Sequence, residues 1–419
     1  MLQQRPIGMA RRGVLALVLS SAIVTFDGTA VTVALAEIGR DLGIAFSTLQ
    51  WIPNASLFML AALMIPAGLA GDRLGRRRMM YLGALVFVAA SIGCALASGP
   101  GWLIGSRLAQ GAGAALLVPG AVAILRATHR DEIERTRAFG LLAAGTGLAS
   151  VIGPLAGGAL VDLWSWRIVF VASAAAALPA LILLASVPES REDPRESSGL
   201  GATLRDVLRA PNCTAANIIT AALYFGLFGV SFLLPIYMQT VLGSSATWAG
   251  VSLFPISLVL LFSERLTQVA AGRGSRLVIT TGALAAGGGI LWLATGPDPL
   301  PFWSHIVPGT TIFGVGLALA VGPLTHAAVS SLPSSCAGIA SGVHHATVRA
   351  AGLAAIAAVG TIGAGSGAAS LTPDGFRAAL SVCAAIVIVP GVLGARAIRD
   401  DQCGGIAQAG STEDTEGTV

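Results

Sequence analysis

The chain has 419 residues, of which 54% are hydrophobic and only 11% charged, and its mean hydropathy is +0.79. That composition excludes a water-exposed globule and places the chain in a bilayer. The net charge of +4 comes entirely from arginine on the basic side, because the sequence has no lysine; it reports loop topology and gives no case for nucleic acid as a partner.

Apolar runs of about 20 residues, long enough to cross the hydrocarbon, recur from end to end with short polar interruptions. They predict twelve helices, over 13–36, 48–70, 79–98, 101–126, 138–162, 166–187, 214–237, 246–263, 276–295, 303–327, 338–363 and 376–396. The expected fold is therefore an all-α membrane protein of two pseudo-symmetric six-helix bundles. Residues 1–187 form the first and 212–399 the second, joined by a cytoplasmic linker at 188–211 that is rich in acids, arginine, Pro, Gly and Ser. Residues 400–419, polar and acidic, are expected to be a disordered cytoplasmic tail. Met1 to Arg12 and the apolar run behind them read as the first spanning helix, because that run continues past Asp27 with no small-residue cleavage site.

With the N-terminus in the cytoplasm, twenty of the 25 arginines fall inside, three (Arg40, Arg167, Arg377) outside and two (Arg107, Arg349) within helices. The positive-inside rule then puts both termini in the cytoplasm. Arginine without lysine, with abundant alanine and glycine, points to a GC-rich genome and a bacterial inner membrane. The five cysteines are scattered and suggest neither a disulfide framework nor a metal site.

Along the chain, the first chemistry-bearing residue is Asp27, about 15 Å from the outer end of helix one at 1.5 Å per residue. After helix two comes GLAGDRLGRRR, from Gly68 to Arg78. Its glycines at 68, 71 and 75 let helix ends approach closely, and Asp72 can accept hydrogen bonds from Arg73, Arg76 or a neighbouring helix N-terminus, as a conformational latch would. Arg107 enters helix four from the outside and lies about 10 Å deep, a depth similar to that of Asp27. An ionisable group there costs roughly 2.5 to 3.5 kcal/mol on insertion scales and needs a partner. Burial favours the protonated carboxyl and a nearby arginine favours the carboxylate, so an Asp27–Arg107 pair that separates and meets can load and release a proton.

IGPLAGG in helix five, with Gly153, Pro154, Gly157 and Gly158, combines a helix-breaking proline with small residues suited to a kink and tight packing. After helix eight, SERLTQVAAGRGSR (Ser263 to Arg276) occupies the place of the first basic loop, with Gly274 kept and Ala271 where Asp72 stands in the first copy. Such a repeat implies a substrate site between the halves near the midplane. His344, His345 and Arg349 lie in helix eleven. Together with Gln110, Asn217 and Gln239 they are candidate substrate contacts, although each is also a plausible packing residue. The second half holds no acid well inside a helix, Glu264 lying at the cytoplasmic edge; this favours neutral or cationic amphipathic substrates, while Arg107 and Arg349 would suit a carboxylate.

These motifs resemble those of the major facilitator superfamily, and within it the drug:proton antiporter branch that usually has fourteen helices. GLAGDRLGRRR resembles the loop motif after helix two, RLAQGAGAALLVPG the helix-four motif, IGPLAGG the antiporter motif of helix five, and FDGTAVTVAL the helix-one motif. PIYMQTVLG and WAGVSLFP are similar to the helix seven to eight region, and HH stands where similar sequences carry two asparagines. Thr32, Ala36, Ser56 and Ala149 depart from the usual pattern. The resemblance implies a twelve-helix antiporter that exports a drug-like or secondary-metabolite compound against inward proton flow; the alternative is proton-coupled or facilitated movement of an ordinary metabolite. No enzyme is expected, because no nucleophile, base and orienting group gather in one motif. The expected partners are a small-molecule substrate, protons and the lipid bilayer, with no metal or cofactor, and the chain is expected to act as a monomer.

Overall fold

The computed structural model describes residues 11–129, 131–191, 210–263, 265–266, 274–330, 337–364 and 370–396. Most of the linker expected at 188–211, much of the second basic loop at 263–276 and the tail at 400–419 lie outside the described residues. Among the described residues there are twelve long helices and no strand. They are α1 (Arg11–Asp41), α2 (Trp51–Leu74), α3 (Arg76–Ala95), α4 (Pro100–Thr128), α5 (Glu132–Leu163) and α6 (Trp166–Leu183), then α7 (Pro211–Thr240), α8 (Ala246–Leu261), α9 (Ser275–Ala294), α10 (Val307–Ser330), α11 (Ala337–Ala364) and α12 (Pro373–Ala395). Eleven are long and apolar enough to cross a membrane; α8 is a shorter apolar helix of 16 residues.

A helix pairs its backbone groups within itself, the condition for spanning hydrocarbon, and the internal prolines Pro66, Pro119, Pro154, Pro179, Pro235, Pro255, Pro323 and Pro390 each remove one such bond. Two helices run further than their apolar cores. α1 continues to Asp41 because Glu37, Arg40 and Asp41 form a polar last turn, and α5 starts at Glu132 because Asp131 caps it, accepting the Glu134 amide at 2.9 Å.

The chain divides into two compact units, one formed from Met1–Glu196, Ser231–Ser257 and Ile356–Ala379, the other from Ser197–Val230, Leu258–Ala355 and Leu380–Val419. In the first unit, Leu17, Phe87, Leu117, Ile124 and Leu125 anchor a buried core shared by α1, α3 and α4. Lipid tails are as apolar as leucine, so helix association inside a bilayer relies on close backbone approach at small residues. α3 and α4 meet at Gly83 and Gly113, where a Cβ on Gly83 would lie 2.8 Å from the Gly113 carbonyl oxygen. In the second unit α9 and α10 repeat the contact at Gly282 and Gly316, again 2.8 Å.

The backbone carries the same repeat. Among the described residues the positive-φ residues are all glycines and fall in two pairs separated by nearly equal lengths of chain: Gly43 (φ 61°) with Gly243 (φ 62°), and Gly75 (φ 110°) with Gly274 (φ 80°). Gly75 and Gly274 stand directly before α3 and α9, so the worn second loop keeps the turn geometry of the first although it lost the acid. Trp51, Trp102 and Trp164 of the first unit and Trp292 and Trp303 of the second are exposed at helix ends opposite the arginine-rich loops, where interfacial aromatics sit.

Candidate functional site

α1 carries Asp27 on its buried face, and α4 carries Arg107 and Gln110 one turn apart on one face. Arg107 Nη1 donates to Asp27 Oδ2 at 2.5 Å and to Gln110 Oε1 at 2.6 Å, while Nε donates to the Ile52 carbonyl of α2 at 3.2 Å. Gln110 Nε2 donates to Asp27 Oδ1 at 2.8 Å and to the Ser91 hydroxyl of α3 at 2.9 Å. The Arg107 guanidinium also lies 5.8 Å from the Phe170 ring centre on α6. Only 2% of the Arg107 side chain and 4% of the Asp27 side chain are exposed, so the pair sits in a low-dielectric interior where charge-assisted hydrogen bonds are strong and an unpaired charge is costly.

The helix-five motif supports this cluster from outside. A Cβ on Gly157 would lie 2.9 Å from Ala30, and one on Gly153 would strike the Thr29 hydroxyl, so the small residues let α5 press on α1 one turn from Asp27. Pro154 is buried between them. The other side of the motif meets the start of α8: a Cβ on Gly158 would lie 2.8 Å from Thr247. There Asp162 accepts the amides of Ala246 at 2.9 Å and Thr247 at 2.8 Å, capping α8. Sequence reasoning missed Asp162; the signal was an acid at the end of one helix and a polar Ser-Ser before another.

At the basic loop, Asp72 pairs with Arg76 in the next helix (Nη2 to Oδ1, 2.7 Å), and Arg76 Nη1 reaches the Ala123 carbonyl of α4 at 3.4 Å. Asp72 borders a cleft of about 110 Å³ lined by Gly68, Gly71, Leu116 and Gly120, while Arg73 is exposed. The residue not anticipated here is Glu189. Its carboxylate accepts the Arg77 amide at 3.0 Å at the N-terminus of α3 and lies 3.8 Å from both the Arg77 and Arg78 guanidinium groups. A Cβ on Gly75 would come within 2.8 Å of that carboxylate, so the loop glycine is required both for its φ of 110° and for this close approach.

The candidate substrate contacts are divided between the two units, Gln110 and Gln239 in the first and the others in the second. Gln110, fully buried, is the bridge inside the charge cluster. Gln239 donates to the Val33 carbonyl at 2.8 Å in the first unit. In the second unit, Asn217 Oδ1 lies 3.1 Å from His344 Nδ1, and His344 Nε2 lies 3.4 Å from the Thr325 hydroxyl; His344 is buried and His345 exposed. Arg349 follows His345 by about one turn of α11. Among the described residues no group of three or more His, Cys, Asp or Glu is placed to hold a metal.

Residues 17–357 match the family model of the Major Facilitator Superfamily. The chain is 27% identical to the puromycin resistance protein pur8 of Streptomyces alboniger, over 88% of this chain and 85% of that protein. It is 29% identical to the cephamycin export protein CmcT of Amycolatopsis lactamdurans, over 90% of each. The fold is similar to that in the crystal structure of a bacterial homolog to the human lysosomal transporter Spinster in an inward-facing and unoccupied conformation, with a TM-score of 0.76, 18% identity and coverage of 92% of this chain and 96% of that one.

Proposed function

Because this chain belongs to the Major Facilitator Superfamily, a family of membrane transporters and not of enzymes, we propose that it is a proton-coupled antiporter exporting a drug-like or secondary-metabolite compound. The relatives named for puromycin resistance and cephamycin export support the substrate class. The observation that carries the coupling is the buried Asp27–Arg107–Gln110 cluster.

Asp27 is the proton carrier. Paired with Arg107 and Gln110 it is a satisfied carboxylate; drawn away from them in the same low-dielectric interior it becomes an unpaired charge and takes up a proton. Reforming the pair expels that proton. Arg107 stays anchored through the Ile52 carbonyl, and Gln110 through Ser91, so α1 is the element that moves against a fixed receptor.

Alternating access by the two six-helix halves, residues 1–187 and 212–399, links that step to the substrate. Asp72 and Arg76 act as the latch at the arginine-rich side, which we place in the cytoplasm together with both termini. The helix-five motif holds α1 and α8 against α5 by backbone contact.

The test is transport in everted membrane vesicles with an imposed pH gradient and a panel of antibiotics and dyes. Wild-type protein is expected to accumulate at least one compound when the gradient is present and none when it is collapsed. Gradient-driven uptake that survives Asp27→Asn would contradict the reading.

A further inference from the structure

Two arginines stand inside the membrane-spanning helices, and the chain treats them differently. Arg107 has a resident counter-charge in Asp27. Arg349 has none: the only acids in the sequence between residues 212 and 395 are Glu264, which lies outside the described residues, Asp298 in a loop and Asp374 in the first turn of α12. Among the described residues Arg349 makes neither a hydrogen bond nor an ion pair, and the side chain on its own face of α11 one turn earlier is His345. It lies twelve residues after the start of α11, about 18 Å along the helix axis, too far in for its guanidinium to reach bulk water or lipid headgroups by extension alone.

The packing of α7 and α11 fixes where these groups stand. The two helices meet at two points along their length within the second unit. His344 meets Asn217 at 3.1 Å and a Cβ on Gly352 would lie 2.9 Å from the Phe228 ring; between these two contacts the helical spacing brings Tyr224 of α7 and Arg349 of α11 to the same seam. The seam is thus polar, then cationic with a phenol beside it, then closed by an aromatic ring against glycine. His344 is committed to Asn217 and Thr325, which leaves His345, exposed and one residue on, turned about 100° away with its ring N–H free of those partners.

A guanidinium, a phenolic hydroxyl and an imidazole, with no acid among them, make a donor-rich set whose fixed positive charge an anion neutralises. The planar guanidinium fork matches a carboxylate in particular. We infer that Arg349, Tyr224 and His345 form the binding site for the carboxylate of the transported compound, so that the substrate class is an amphipathic organic acid. This deepens the export reading and rests on it, and it reverses the preference for neutral or cationic substrates that the paucity of acids suggested.

The test is equilibrium binding to the full-length protein in detergent, with no gradient, using naphthalene-2-carboxylate and decanoate against their primary amides. Wild-type protein is expected to bind each acid about 10- to 100-fold more tightly than its amide, the size expected for one charge-assisted pair. Arg349→Gln is expected to abolish that preference while binding the amides as wild type does, and Arg349→Lys to retain part of it. Tyr224→Phe and His345→Asn are expected to reduce it about tenfold or less each. Amide binding by Arg349→Gln reports that the variant is folded; should it bind nothing, Arg349→Lys and Tyr224→Phe carry the comparison.

Equal binding of acid and amide by wild type, or an acid preference that survives Arg349→Gln, overturns the site. Competition by phosphatidylglycerol in place of the acids would assign the charge to a lipid headgroup and also overturn it. Failure of gradient-driven export in vesicles would count against the transport reading alone, since binding is measured without a gradient.

Discussion

Gln110 donates its side-chain amide to Asp27 Oδ1 while Arg107 occupies Oδ2, so the two carboxylate oxygens are held by residues one turn apart on α4. Gln110 also accepts from Arg107, which makes it a bridge and not a bystander. Protonation of the carboxylate removes the charge that strengthens both bonds, and the one from the neutral amide is the weaker of the two to begin with. Gln110→Leu, which keeps the volume and removes the bridge, is expected to slow proton-coupled exchange about tenfold, the effect of losing one hydrogen bond to a charged group. A pH-sensitive dye in proteoliposomes measures it.

The pair itself is expected to behave as one unit. Asp27→Asn and Arg107→Gln each leave a buried group without its partner, and each is expected to lower stability by about 3 to 5 kcal/mol. The double variant is expected to lose less than the sum. Thermal unfolding of the four proteins in one detergent checks the cycle; additivity would mean that the charges do not interact.

The Asp27–Arg107 contact was legible in the sequence because charges inside apolar runs are costly, and two at similar depth on neighbouring helices call for each other. The twelve helices were legible for the same reason, that a bilayer fixes the length of every apolar run. The role of Gln110 was not, since an amide in a helix fits a substrate contact and a structural bridge equally well until its neighbours are known. Glu189 was read as part of a linker; nothing in PESRED signals that its acid returns to the N-terminus of α3, 112 residues away in sequence. The helix-five motif was recognised by its small residues, but that one side serves α1 and the other α8 depends on three-dimensional neighbours. Arg349 was visible as an intramembrane charge, while the seam it shares with Tyr224 required the contacts between two helices.

At the basic loop, Gly75→Ala is expected to destabilise by more than about 1 kcal/mol, because φ 110° disfavours alanine and its Cβ would press on the Glu189 carboxylate. Glu189→Gln is expected to cost less, about 0.3 to 1 kcal/mol, since the group is partly exposed and screened, and its effect should shrink at high salt. Thermal midpoints at low and high salt separate the two.

In the helix-five motif, Gly157→Leu places a branched side chain against the backbone of α1 at Ala30, where a single Cβ already comes to 2.9 Å. Overpacking of that kind costs about 1 to 3 kcal/mol and is expected to shift α1 and disturb the Asp27 cluster, so that transport falls further than stability does. Gly140→Ala, at an open position in the same helix, is the control and is expected to leave both unchanged. Parallel transport and melting measurements on both variants decide it.

Substrate-driven proton movement in proteoliposomes, started with no imposed gradient and compared with substrate counterflow in the same vesicles, tests the Asp27 account most directly. Wild-type protein is expected to show both, and Asp27→Asn to keep counterflow while proton movement vanishes. Proton movement at the wild-type rate in Asp27→Asn would contradict it.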